Sequence, residues 1–147
     1  MNFWKSFRKK DVLKQLLFVL AVFVILIPIA IWDSDTQIKV SFDPESLYVK
    51  SDEYVLTVPY AIITSAELTA LPEAGEELEE AVDNGIIRTG KWHNDTWGEY
   101  YINADLDAGT CILLTLNDGR LFAFSCKDNA KTAELFDTLQ AYLPAAA

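Results

Sequence analysis

The chain has 147 residues, 51% of them hydrophobic, with 22 Asp/Glu against 12 Lys/Arg and a formal net charge of −10. An exterior this acidic argues against nucleic acid as a partner and against adhesion to anionic lipid, since both require basic surface. The single histidine, His93, excludes a multi-histidine metal site.

The first 32 residues hold five bases (Lys5, Arg8, Lys9, Lys10, Lys14) and one acid, Asp11. Gln15–Trp32, eighteen residues, then carries no charge at all. A helix of that length spans roughly 27 Å, close to the hydrocarbon thickness of a bilayer. This predicts a transmembrane helix over 13–32, with Lys14 snorkelling to the headgroups and Trp32 at the far interface. Pro28 falls near the helix end, where a kink is tolerated. A buried helix of a soluble protein would seldom be apolar on every face. A cleaved signal peptide would have a shorter apolar stretch, with small residues where Ala30-Ile31-Trp32 stands. Downstream, the only base close to the span is Lys39. The positive-inside rule therefore places residues 1–12 in the cytoplasm and everything after the span outside the cytoplasmic membrane. Residues 33–147 carry seven Lys/Arg and 21 Asp/Glu, a net −14.

After a linker at 33–36, Gln37–Phe42 alternates polar and apolar, as a half-buried strand should. Asp43-Pro44-Glu45-Ser46 reads as a turn, and Leu47–Lys50 and Tyr54–Val58 as strands. Ile62–Leu71 is β-branched enough for a strand, with a short helix as the alternative. Pro72–Val82 contains five glutamates and reads as an exposed helical turn or a loop. Short strands are expected at Ile86–Thr89, Lys91-Trp92 and Tyr100–Asn103, punctuated by Gly90 and Gly98. Thr110–Leu116 and Leu121–Cys126 flank Asn117-Asp118-Gly119-Arg120, a strong hairpin signal. The last segment is an amphipathic helix. Ala133, Leu135, Phe136, Leu139, Tyr142 and Leu143 form its apolar stripe, Asp128 or Asn129 starts it and Pro144 stops it. Many short strands followed by one helix suggest a bent sheet or small barrel with one end covered.

Several segments, in order, resemble the bacterial pleckstrin-homology-like (PH-like) domains, particularly those tethered behind one membrane helix. They are SFDPESLYV, YVLTVPYAIITSAEL, DNGIIRTGKWHNDTWGEYYI, and ILLTLNDGRLFAFS followed by DNAKTAELFDTLQAYL. The resemblance covers about Gln37 to Leu143. It implies a mainly β fold, a split barrel of two antiparallel sheets capped by the C-terminal α-helix, here preceded by the transmembrane helix. It places the PH-like domain at 37–143, with a disordered tail at 144–147. The family shares no catalytic set, so the resemblance implies no catalytic residue and no cofactor. Eukaryotic relatives bind phosphoinositide headgroups through basic residues in the loop between the first two strands. Here that loop is Asp43-Pro44-Glu45-Ser46, so phosphoinositide binding is not expected.

Two constellations are candidates for function. Trp92, Trp97, Tyr100 and Tyr101 cluster around loops and could form a partner-binding platform, core packing being the competing reading. Cys111 and Cys126 face each other if the hairpin loop has two residues, a geometry that permits a disulfide. A three-residue loop, Asn117 to Gly119, with a glycine bulge instead puts Ile112, Leu114, Phe122 and Phe124 on one face and the cysteines on opposite faces. The cleaner core favours that second register. His93 and Asp95 lack an accompanying nucleophile motif, and Asn94-Asp95-Thr96 matches a glycosylation sequon by chance. The expected function is non-enzymatic: a membrane-tethered module that docks a protein partner. A structural subunit assembled through its span, and a hydrolase using paired carboxylates, are the alternatives.

Overall fold

The computed structural model describes residues 12–21, 38–52 and 54–144. The chain divides into two units, Met1–Asp35 and Thr36–Ala147. In the first, residues 12–21 form a helix, α1, with every residue exposed. Among the described residues no helix is long and apolar enough to cross a membrane. The rest of the expected span (22–32), the basic tail up to Asp11, the linker at 33–36 and residues 145–147 lie outside them.

The second unit is mainly β and ends in a helix. Its smaller sheet is an antiparallel meander of β1 (Lys39–Phe42), β2 (Ser46–Lys50) and β3 (Val55–Pro59). Period-two alternation does what it should: Leu47, Val49, Leu56 and Val58 are buried, while Lys50, Val55 and Thr57 face outward. Tight bonds make the two turns. The Asp43 N–H donates to the Ser46 carbonyl (3.0 Å), and the Ser51 N–H to the Tyr54 carbonyl (2.8 Å). Pro59 ends β3, and a 3-10 turn, Tyr60–Ile62, passes the chain to the larger sheet.

That sheet contains β4 (Ile63–Ala70), β5 (Glu76–Glu77), β6 (Val82–Asp83), β7 (Ile87–Asn94), β8 (Gly98–Asp105), β9 (Thr110–Leu116) and β10 (Leu121–Phe124). Its strand order is β4-β9-β10-β8-β7-β5, with β6 also on β7. Ile63–Ala70 is strand as expected, Ile62 belonging to the 3-10 turn, and the alternative helix does not form. Two expectations change. The glutamate-rich stretch is neither helical turn nor free loop, but two short strand pieces laid on the β7 edge. The larger sheet is not wholly antiparallel either, because β10 lies between β9 and β8 and pairs parallel to β8. A turn at 106–109 carries the chain past that position before β10 fills it.

The β9–β10 hairpin takes the three-residue loop. Leu121 pairs with Thr115 and Phe124 with Ile112. The Gly119 N–H closes the loop on the Leu116 carbonyl at 3.0 Å, with Gly119 at φ +88°. Ile112, Leu114, Phe122 and Phe124 accordingly join the main core, together with the inner faces of β2 and β3. The opposite face of the larger sheet carries a second cluster, with Trp92, Tyr100, Ile102, Cys111, Leu113 and Ala123.

The closing helix, α2 (Asn129–Tyr142), is capped as expected: the Asp128 carboxylate accepts the Lys131 N–H at 2.8 Å. Its buried residues are Thr132, Leu135 and Leu139, so the stripe sits slightly round from the expected one, with Thr132 in and Ala133 half-buried. Burying a leucine such as Leu139 contributes about 2 kcal/mol relative to exposure. Tyr142 stacks on both Phe42 and Tyr60, with ring centroids 5.3 Å apart in each pair, which ties the helix end to β1 and the 3-10 turn.

Candidate functional site

The two edges of the larger sheet are built differently. At the β7 edge, residues 72–83 form a strap. The Lys91 N–H donates to the Glu79 carbonyl (2.8 Å) and the Leu78 N–H to the Lys91 carbonyl (3.0 Å). Side chains of the sheet reach out to the strap's backbone. Arg88 Nη1 donates to the Pro72 carbonyl (2.8 Å), Asn94 Nδ2 to that of Glu73 (2.9 Å) and the Tyr100 hydroxyl to that of Ala74 (2.7 Å). Contact is so close that a Cβ on Gly75 would collide with the His93 carbonyl, and one on Gly90 with the Glu80 carbonyl. Arg88 also pairs with Asp83 at 3.1 Å. Burial works against the Asp83 carboxylate, but the Gly85 N–H and the Arg88 guanidinium outweigh it and hold its pKa below the ordinary value.

β4, at the other edge, has no strand outside it among the described residues. The Leu71 N–H bonds to the Gly109 carbonyl (3.0 Å), which fixes the phase of the β4–β9 ladder. By that phase, Ala66 and Leu68 turn their N–H and C=O groups away from β9, while the Ala70 carbonyl accepts the Cys111 thiol at 3.8 Å. Ala66 packs on the main core, and Leu68 is 41% exposed on the same face. Beside this edge, the C-terminal end of α2 leaves a groove of about 470 Å³ lined by Ile63, Thr64, Ser65, Ala66, Gln140 and Leu143. A register shift between Ile63 and Ser65 bends β4 there, and the Thr64 hydroxyl donates to the Thr115 carbonyl at 2.9 Å. At the foot of α2, burial, with Tyr142 and Asp43 nearby, pushes the Tyr60 hydroxyl up to about 12.

The aromatic four are divided between the two faces of the larger sheet, and core packing, the competing reading, describes Trp92 and Tyr100. Trp92 and Tyr100 are buried in the second cluster, and Trp97 packs on it edge-to-face with Tyr100 at 5.3 Å. Tyr101 follows Tyr100 on β8 and so points to the opposite face, where it stacks on Phe122 at 4.8 Å. Strand alternation divides the set, and the strap covers most of one half.

Cys111 and Cys126 are both free and buried. Cys111 lies in the second cluster and Cys126 in the main core, so the favoured register separates them and the disulfide geometry does not arise. Burial, with Glu67 nearby, pushes the Cys111 thiol up to about 12. Burial likewise raises that of Cys126, whose Sγ donates to the Ile38 carbonyl at 3.1 Å. Burial of this kind disfavours the reactive thiolate at both positions. His93 and Asp95 are exposed, and Asn94 is buried with its amide committed to Glu73, so the sequon is closed to modification. Among the described residues no group of three or more His, Cys, Asp or Glu is placed to hold a metal ion.

Which strand would be the edge carried no local signal, because strand order is set by distant pairings. No protein-family model, curated protein or solved structure matches the chain.

Proposed function

We propose that this chain is a membrane-tethered, non-enzymatic PH-like module that docks an extended segment of a protein partner at the outer face of the cytoplasmic membrane. The observation that carries the docking reading is the contrast between the two sheet edges. An open strand edge offers unpaired backbone groups to any chain that can pair with it, and folded proteins ordinarily blunt or cover such edges. Here the β7 edge is strapped down, while the β4 edge stands open beside a groove with apolar and small polar walls. Strand addition with side chains seated in a neighbouring groove is a recurring mode of peptide recognition. The tether reading draws on the uncharged run Gln15–Trp32 and on α1, whose large apolar residues, including Leu16, Leu17 and Phe18, are exposed. The PH-like reading draws on the segment order and the closing helix; the parallel β8–β10 pairing departs from it.

The experiment is a photo-crosslinking amino acid at Leu68 in intact cells. A discrete protein adduct, lost on Ala66→Pro, is expected; no adduct overturns the docking reading. Orientation is read separately with Thr57→Cys and a membrane-impermeant maleimide. Labelling from outside is expected against a silent background from the buried native thiols, and protection of the introduced cysteine overturns the topology.

A further inference from the structure

The β4–α2 groove has an electrostatic character that its shape does not convey. From Ser51 to Ile87 the chain has no Lys, Arg or His, and from Thr132 to Ala147 it has none either. Both walls of the groove are drawn from these two cation-free stretches. No acid lines the groove itself, but the elements that form or adjoin it carry acids. Glu67 is exposed at the middle of β4, and Asp137 is exposed one turn before Gln140 on α2. Asp43 acts on Tyr60, whose ring stacks on Tyr142 at the helix end, and the Tyr60 N–H bonds to the Glu45 carbonyl. The bases that do form ion pairs are matched elsewhere: Arg88 with Asp83, Lys91 with Glu99, Arg120 with Asp118 and Lys131 with Glu134. Glu67, Asp137, Asp43 and Glu45 have no ion-pair partner among the described residues.

The geometry of β4 turns this into a pattern. Ala66 and Leu68 lie on the face shared with Leu114 and Ile112, toward the main core and α2. Ser65, Glu67 and Thr69 lie on the opposite face. A strand added along the edge would set alternate side chains against these two rows. One row is apolar and small; the other is polar, with a lone carboxylate at its centre. We infer that the occupant of the groove is an extended segment of a partner protein that alternates uncharged apolar side chains with Lys or Arg. This inference rests on the docking reading above and adds the partner's chemistry. A second copy of this chain fits poorly, because it would bring another net −14 unit against the same acids.

The test uses the full chain in neutral detergent and four labelled nonapeptides: alternating lysine and valine, glutamate and valine, threonine and valine, and the lysine–valine peptide with a central proline. The lysine–valine peptide binds, with affinity that falls as salt rises, and the other three bind at least about tenfold more weakly. Glu67→Lys lowers its affinity about three- to tenfold, the scale of one cross-strand charge pair turned repulsive. Ala66→Pro, at an edge position, and Leu68→Arg, at an exposed one, each remove binding with the urea midpoint unchanged; either variant alone suffices should the other unfold. Lysine–valine binding indifferent to both variants is diffuse attraction to the acidic surface and overturns the inference. Equal, edge-dependent binding of the threonine or glutamate peptide overturns the cationic partner and leaves the docking reading standing. Edge-dependent self-association assigns the groove to a second copy and also overturns it. No binding by any peptide overturns it too, with the Leu68 crosslink deciding the docking reading on its own.

Discussion

Two buried polar residues hold opposite positions in the energetics. Asn103 is fully buried on β8, and its Nδ2 donates to the Val49 carbonyl (3.0 Å) and the Tyr54 carbonyl (3.2 Å). It is a polar bridge from the larger sheet to the smaller one. Its Oδ1 has no partner, so part of the gain is already forfeited. Removing the donor takes this bond from the Val49 carbonyl, leaves the Tyr54 carbonyl with only its Ser51 donors, and opens a cavity. Asn103→Ala should therefore cost about 2–3 kcal/mol in urea unfolding. Asn103→Asp should cost more, since a carboxylate would face those carbonyls; an unchanged midpoint would refute the bridge. Asp105 is the converse. Burial raises its pKa, only partly offset by the N–H groups of Asp107 and Lys127. The folded state then holds the proton up to a higher pH than the unfolded chain does. Stability falls as pH rises through the window between the ordinary Asp value and the raised one, and the deficit persists at neutral pH. Asp105→Asn keeps an acceptor and removes the charge. It should be at least as stable as the parent at pH 7, and the difference should vanish on acidification below the ordinary Asp range. Melting temperature against pH for both proteins reads this directly.

At the scale of elements, the strap over the β7 edge depends on two glycines that have no room for a side chain, and the hairpin on one that has room. Gly90 (φ +93°) would drive a Cβ into the Glu80 carbonyl, whereas Gly119 (φ +88°) has nothing within 4 Å. Gly119→Ala should cost about 1–2 kcal/mol, the backbone penalty alone. Gly90→Ala should cost more, and should speed hydrogen exchange at the Leu78 and Lys91 amides that tie strap to sheet. Equal costs at the two positions would mean that the strap is not seated as described. The same elements mark what was legible in the sequence. Gly119 and the shared face of Ile112, Leu114, Phe122 and Phe124 disclosed the hairpin register because both are local. Asp128 disclosed the helix start for the same reason. The strap was not legible: five glutamates read as solvated loop, and their backbone partners sit more than ten residues away. Nor was the fate of Trp92 and Tyr100. The larger sheet is covered on both faces, so alternation could not tell an inner side from an outer one. The open β4 edge, and with it the groove, follows from β10 lying between β9 and β8, a pairing that no short window of sequence encodes.

For the whole molecule, the two units have opposite relations to water. The β unit carries net −14 over residues 33–147. Its exposed large apolar residues, Val55, Leu68, Leu78, Ile86 and Tyr142, are dispersed along the chain, and its cores are filled by its own side chains. Such a surface repels like-charged neighbours. α1, by contrast, exposes Leu13, Leu16, Leu17, Phe18, Val19 and Leu20 among the described residues. If residues 13–32 are the tether, membrane attachment and fold stability are separable. The full chain should stay with membranes through an alkaline carbonate wash, and residues 38–147 should remain in the supernatant. The truncated unit should keep the full chain's unfolding midpoint and denaturant slope, because among the described residues every core residue is retained in it. Carbonate release of the full chain would refute the tether. Retention of the full chain together with a collapsed midpoint in the truncated one would instead mean that the apolar segment completes the β unit's core and anchors nothing.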